Sequence, residues 1–129
     1  MLHLSATVRY YLYRSAADMR KGFDSLSAIV SSQMQCNACS GDIFIFLNRT
    51  RTHIKLLLWE GDGFALYYKR LEQGTYELPV CSGSDTTIPI TEQQLQCILQ
   101  GISLAKIEYR KRYKKRSRFI NILEGENKI

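Results

Sequence analysis

The middle third of the chain constrains the fold most. Residues 42–71 hold three runs of aliphatic, aromatic and β-branched residues, separated by interruptions too short for anything but tight turns. The runs are Asp42-Ile-Phe-Ile-Phe-Leu-Asn48, His53-Ile-Lys-Leu-Leu-Leu-Trp-Glu60 and Phe64-Ala-Leu-Tyr-Tyr-Lys-Arg-Leu71. Polar residues 49–52 separate the first two, and Gly61-Asp-Gly63 separates the last two. Glycine supplies the positive φ that such turns demand. Strands joined this closely must run antiparallel. The spacing therefore predicts a meander in which Asn48 opposes His53 and Glu60 opposes Phe64.

That register sorts the side chains onto two faces. One collects Ile43, Ile45, Leu47, Ile54, Leu56, Leu58, Leu66 and Tyr68, an apolar surface that a helix should cover. The other collects Phe44, Phe46, Lys55, Leu57, Trp59, Ala65, Tyr67 and Lys69, with Lys55 directly facing Lys69. Because strand side chains alternate, a one-residue slip would exchange the faces.

The flanks supply the remaining elements. Residues 7–13 read as a strand. Ser15 is a candidate helix N-cap with Asp18 three residues on. Met19, Phe23, Leu26 and Val30 follow at helical spacing to about residue 32. Phe23 and Leu26 read as core. Gly22 inside this stretch costs ~1 kcal/mol relative to alanine, which signals a close approach or a break. Residues 33–41 read as a loop, 75–78 as a short strand and 80–90 as a connection. Thr91-Glu-Gln-Gln94 has capping-box form and opens a second helix with Leu95, Ile98, Leu99 and Ile102 on one face. The pattern is a single α+β domain over residues 1–103: an antiparallel meander of four to five strands packed by two α-helices. A basic C-terminal extension, partly helical in pattern, follows over 104–129.

A length of 129 residues allows one core, and 45% hydrophobic with 23% charged residues is a globular mixture, not a disordered one. The apolar runs are too short for a helix that spans a bilayer. Residues 1–9 lack a basic region followed by an apolar stretch, so the expected location is cytoplasmic. Cys36, Cys39, Cys81 and Cys97 are then expected as reduced thiols. Cys36-Asn-Ala-Cys39 is half of a zinc motif without its second half, so no metal or other cofactor is expected.

Charge is unevenly placed. The chain has 18 basic and 12 acidic residues, a formal net charge of +6. Arg110, Lys111, Arg112, Lys114, Lys115, Arg116 and Arg118 form one block without an acid; outside it the chain is close to neutral. A positive arm on a neutral body suits a polyanionic partner. Arg49, Arg51 and His53, on and beside the first turn, are a second candidate for phosphate contact. Lys69 and Arg70, with Lys55, Trp59 and Tyr67, make a third, where aromatics flanked by cations could stack bases or dock a protein. Arg20 and Lys21, near a helix start, could support an anion. Asp42, Glu60, Asp62, Glu72 and Glu77 are dispersed over strand ends and turns, and neither His3 nor His53 lies beside a nucleophile. No catalytic residue is expected, and Asp18 reads as a cap.

Three stretches carry a resemblance. Asp18-Met-Arg-Lys-Gly-Phe-Asp-Ser-Leu26, the run from Asp42 to Leu58, and Trp59-Glu-Gly-Asp-Gly-Phe-Ala-Leu-Tyr-Tyr-Lys-Arg-Leu-Glu-Gln-Gly74 with Leu78-Pro79 resemble, in order, the motifs of TnpB-type accessory proteins of the insertion sequence 66 (IS66) family. These are distinct from the much larger RNA-guided nucleases that share the name. The resemblance implies a non-catalytic accessory protein of bacterial transposition. Its expected partners are DNA at the element ends and the transposase, with a homodimer compatible with the apolar second face. The alternative it leaves open is a protein-interaction adaptor that docks the transposase through Trp59 and Tyr67 with little direct DNA binding. The Cys36–Cys39 loop and the tail after Arg118 lie outside that pattern.

Overall fold

The computed structural model describes residues 7–79 and 83–102. Within them the chain runs β1 (Tyr10–Tyr13), α1 (Phe23–Ser32), β2 (Ile43–Leu47), β3 (His53–Trp59), β4 (Phe64–Arg70), β5 (Thr87–Ile90) and α2 (Glu92–Gln100). The strands form one sheet in the order β4-β3-β2-β1-β5. The β2-β3-β4 meander is antiparallel, as the short turns require. β1, however, pairs parallel with β2, because α1 carries the chain back before β2 begins. The result is an α+β domain with a mixed five-stranded sheet.

The helices lie on opposite faces. Leu26, Ile29 and Val30 of α1 join Tyr13, Phe44, Phe46 and Leu57 in one cluster. Leu95 and Ile98 of α2 join Tyr10, Leu12, Ile43, Ile45, Leu47, Ile54, Leu56, Ile88 and Ile90 in the other. β2, central and covered on both sides, is buried at every position. The second face is therefore covered by α1 over its centre, not left open for a subunit. β4, at the edge, is half-buried to exposed throughout.

Five expectations need correction. The first helix does not begin at Ser15; Gly22 is its N-cap, and the break signalled by that glycine is real. Asp18 instead accepts hydrogen bonds from the Arg20 backbone N–H (2.9 Å) and guanidinium (2.6–3.0 Å). That guanidinium holds the Asp18 carboxyl far below the usual carboxylate range. Phe23, the first helical residue, is 47% exposed and not core. Phe23→Ser should therefore change the unfolding free energy by less than about 1 kcal/mol, where a buried Phe→Ala change costs about 3–5. Urea denaturation measures the difference.

Residues 75–78 form no strand. Instead the Tyr76 N–H donates to the Arg51 carbonyl at 2.7 Å, and its fully buried ring fills the α2-side cluster. The fifth strand is β5, inside the stretch read as a connection. A proline is tolerated in it because β5 is an edge strand. The Arg14 N–H to Thr86 carbonyl bond sets the alternation, so the Pro89 nitrogen points away from β1 and no ladder bond is lost.

The register of β2 with β3 is the one the spacing predicts, Leu47 opposite Ile54 and Ile43 opposite Leu58. That of β3 with β4 is shifted by one: Trp59 opposes Phe64, and the Glu60 N–H donates to the Gly63 carbonyl at 2.9 Å. The turn is thus two residues, with Gly61 at φ 94°, and two-residue hairpins are the favoured kind. The slip moves Leu66 and Tyr68 to the face of Phe44 and Phe46, and Ala65, Tyr67 and Lys69 to the other.

The α2 helix forms as its cap foretells. Thr91 Oγ1 accepts from the Gln94 N–H at 3.0 Å, and Gln94 Oε1 accepts from the Thr91 N–H at 2.8 Å. Gly101 ends the helix in the left-handed region at φ 80°. No described helix is long and apolar enough to cross a membrane.

Candidate nucleic-acid interface

The β2-β3 hairpin tip is held by one side chain. Asn48 Oδ1 accepts from the backbone N–H groups of Thr52 (2.9 Å) and His53 (3.0 Å). Two donors at one oxygen fix the amide orientation, which leaves the two Nδ2 hydrogens to Thr50 Oγ1, Thr52 Oγ1 and His53 Nδ1, all within 3.0–3.2 Å. His53 Nδ1 lies 3.0 Å from Asn48 Nδ2 and 2.8 Å from Thr52 Oγ1. Arg51 lies in the left-handed region at φ 57°, a conformation that glycine adopts more cheaply. Its N–H donates to the Asn48 carbonyl at 3.0 Å and its carbonyl accepts from Tyr76. The side chains of Arg49 and Arg51 are exposed.

The register carries two more cations to the same end of the sheet. His53 pairs with Arg70 and Ile54 with Lys69, both cations exposed at the close of β4. Arg49, Arg51, His53, Lys69 and Arg70 therefore converge on one end, although Lys69 and Arg70 project to opposite faces. Arg70 makes a 2.8 Å ion pair with Glu72, both side chains mostly in solvent, and this carboxylate raises its already high pKa. An exposed pair of this kind is weak and yields readily to a competing anion.

Lys55 does not belong to that group. It is 5% exposed, and its Nζ donates to the carbonyls of Met19 (2.8 Å) and Lys21 (2.7 Å) while lying 4.5 Å from the centroid of the Tyr68 ring. Its partner across the ladder is Tyr68, not Lys69. An ammonium used in this way is closed to a phosphate. Lys55 instead ties the segment before α1 to the sheet, with residues from all three motif stretches meeting at one charge.

The expected Trp59–Tyr67 surface also divides. Trp59 is half-buried against Phe64 in a T-shaped pair with centroids 4.9 Å apart, on the α1 side. Tyr67 packs on the α2 side. The aromatic that the slip brings out is Tyr68, 51% exposed and 5.9 Å from the His53 ring. Asn48 and Tyr68 were the residues missed as site components. A two-residue turn at Gly61-Asp62 was the available signal for Tyr68.

Other candidates separate. Arg20 is exposed and engaged by Asp18; Lys21 is exposed. The thiols of Cys36 and Cys97 are raised above their ordinary pKa, by burial first, which keeps them protonated and poorly nucleophilic at neutral pH. Among the described residues no three His, Cys, Asp or Glu side chains converge as metal ligands would. His3, Cys81 and the block Arg110, Lys111, Arg112, Lys114, Lys115, Arg116 and Arg118 lie outside the described residues, as does the boundary expected at residue 103.

Taken together, fold and site define a small sheet-and-helix domain with a cationic hairpin end. Residues 8–109 match the family of IS66 Orf2 like proteins, and the chain belongs to that family of insertion-sequence proteins. Its relatives include uncharacterized protein y4hO of Sinorhizobium fredii (strain NBRC 101917 / NGR234), 33% identical over 102 residues, covering 79% of this chain and 87% of that one. Uncharacterized protein y4jC of the same strain is 25% identical over 108 residues, covering 84% and 91%. No solved structure matches significantly. The family supports an accessory role in transposition of a bacterial mobile element.

Proposed function

We propose that the protein is a non-catalytic accessory factor that binds DNA at the element ends and assists the transposase in the bacterial cytoplasm. The observation that carries this reading is the convergence of Arg49, Arg51, Lys69 and Arg70 on one end of the sheet around an ordered tip. Arginine at φ 57°, where glycine would be easier, supports selection for the side chain over the backbone. The arm from Arg110 to Arg118 adds a second cationic element. Phosphate contacts of this kind position a protein on a duplex without reading its sequence.

A titration of element-end duplex at two salt concentrations tests the reading. The wild type should bind with a steep salt dependence. Arg49→Ala/Arg51→Ala should flatten the log–log salt slope by about 2, near one unit per lost phosphate contact. Deletion of residues 110–118 should flatten it further. Wild-type protein that ignores duplex at low ionic strength but co-purifies with the transposase would favour the adaptor alternative. For that alternative the half-buried Trp59–Phe64 edge is the surface to alter.

A further inference from the structure

Resting on the nucleic-acid reading of the hairpin end, we propose that Tyr68 is a stacking platform for an unpaired base, so that the site takes single-stranded nucleic acid beside the duplex. β4 is an edge strand whose first half packs against the α1-side cluster through Phe64 and Leu66, and Tyr68 follows on the same face with half of its surface in solvent. The buried Lys55 ammonium occupies one side of the ring, 4.5 Å from its centroid, and is itself fixed by two carbonyls. That side of the ring thus has a fixed contact before a ligand arrives. The His53 ring flanks it at 5.9 Å, tilted by 35°, with its Nδ1 3.0 Å from Asn48 Nδ2. Arg70 pairs with His53 across the ladder, two residues along β4 from Tyr68 and on the same face.

An open aromatic face beside a strand-end cation matches the alternation of base and phosphate along a single strand. A duplex offers such a ring nothing, because its base faces are already stacked; only an unpaired or displaced strand can use it. The surrounding charge disfavours an apolar peptide: Arg70 lies two residues along β4 on the same face, Arg49 and Arg51 are exposed at the same end of the sheet, and Glu72 is the acid paired with Arg70. Nucleic-acid strands thus fit the charge and the ring together.

The test is fluorescence anisotropy with a labelled oligothymidine of about 15 nucleotides and a duplex of equal length, at low salt. Tyr68→Ala should weaken single-strand binding roughly 5- to 150-fold, the range expected of one stacked base, and leave duplex affinity within about twofold. Tyr68→Phe should bind the strand as wild type does. Tyr68→Leu, which keeps apolar bulk without a π-face, should fail like alanine and guards against a folding artefact. An oligouridine arm separates the two sources of a single strand; DNA bound at least as tightly as RNA is expected, and a preference for RNA would overturn the link to the element. Equal strand affinity for wild type and Tyr68→Ala would overturn the stacking proposal even if duplex binding is still lost in Arg49→Ala/Arg51→Ala. Strand binding that depends on Tyr68 with no duplex binding at all would leave this proposal standing and remove the duplex reading.

Discussion

Lys55→Ala is expected to lower the unfolding free energy by about 2–4 kcal/mol, a large part of the 5–15 kcal/mol typical of a domain. Two hydrogen bonds from one ammonium reach the Met19 and Lys21 carbonyls, and bonds to charged groups contribute about 1.5–3 kcal/mol each. The desolvation of a buried ammonium opposes them, which places the net effect well below their sum. Alanine also leaves both carbonyls without this donor and removes the cation from the Tyr68 ring. Lys55→Met separates these effects, since it keeps the volume and loses the charge; it should recover the packing share only. Urea unfolding gives the free energies, and native-state hydrogen exchange should show the segment before α1 loosening first. A Lys55→Ala protein as stable as wild type, with a flatter salt slope for duplex, would return this lysine to the phosphate-binding group.

What the sequence revealed and what it hid have physical causes. The meander, the α2 helix and its cap were legible because each rests on local chemistry: short turns, glycine at positive φ, and a Thr-x-x-Gln box. The start of α1 was ambiguous because Ser15 and Gly22 both look like punctuation, and only the clamp from Lys55 settles which residues stay outside the helix. β5 was hidden because the Ser, Gly and Thr residues of 80–90 carry the chemistry of a connection, and a four-residue edge strand that includes a proline adds little pattern against them. The site failed at one point, the choice between a two- and a three-residue turn after β3. That single residue decides whether Lys55 faces Lys69 or Tyr68, and so whether it reads as a surface cation or a buried tie. The hairpin-tip arginines were readable because a loop four residues long leaves little room to hide them.

The tip itself supplies the second large effect. Asn48→Ala should destabilise the protein by about 2–3 kcal/mol, because one side chain accepts from two backbone N–H groups and donates its two amide hydrogens to neighbouring side chains, and each net hydrogen bond is worth about 0.5–1.5 kcal/mol. The Asn48 side chain holds the two amides that follow Arg51, so the φ of 57° at Arg51 should relax once it is gone. The Thr52 and His53 amides should then exchange at least tenfold faster, a direct reading of local opening. Asn48→Asp is the informative comparison. It keeps the acceptor oxygen for both amides and removes only the Nδ2 hydrogens, so amide protection should largely persist. If Arg49 and Arg51 engage phosphate from an ordered tip, Asn48→Ala should weaken duplex binding with both arginines intact, since an ordered cation loses less entropy on binding than a mobile one. Unchanged amide exchange in Asn48→Ala would show that the tip owes its shape to the ladder and to Tyr76 instead. Weakened duplex binding with unchanged exchange would point to Asn48 as a contact in its own right.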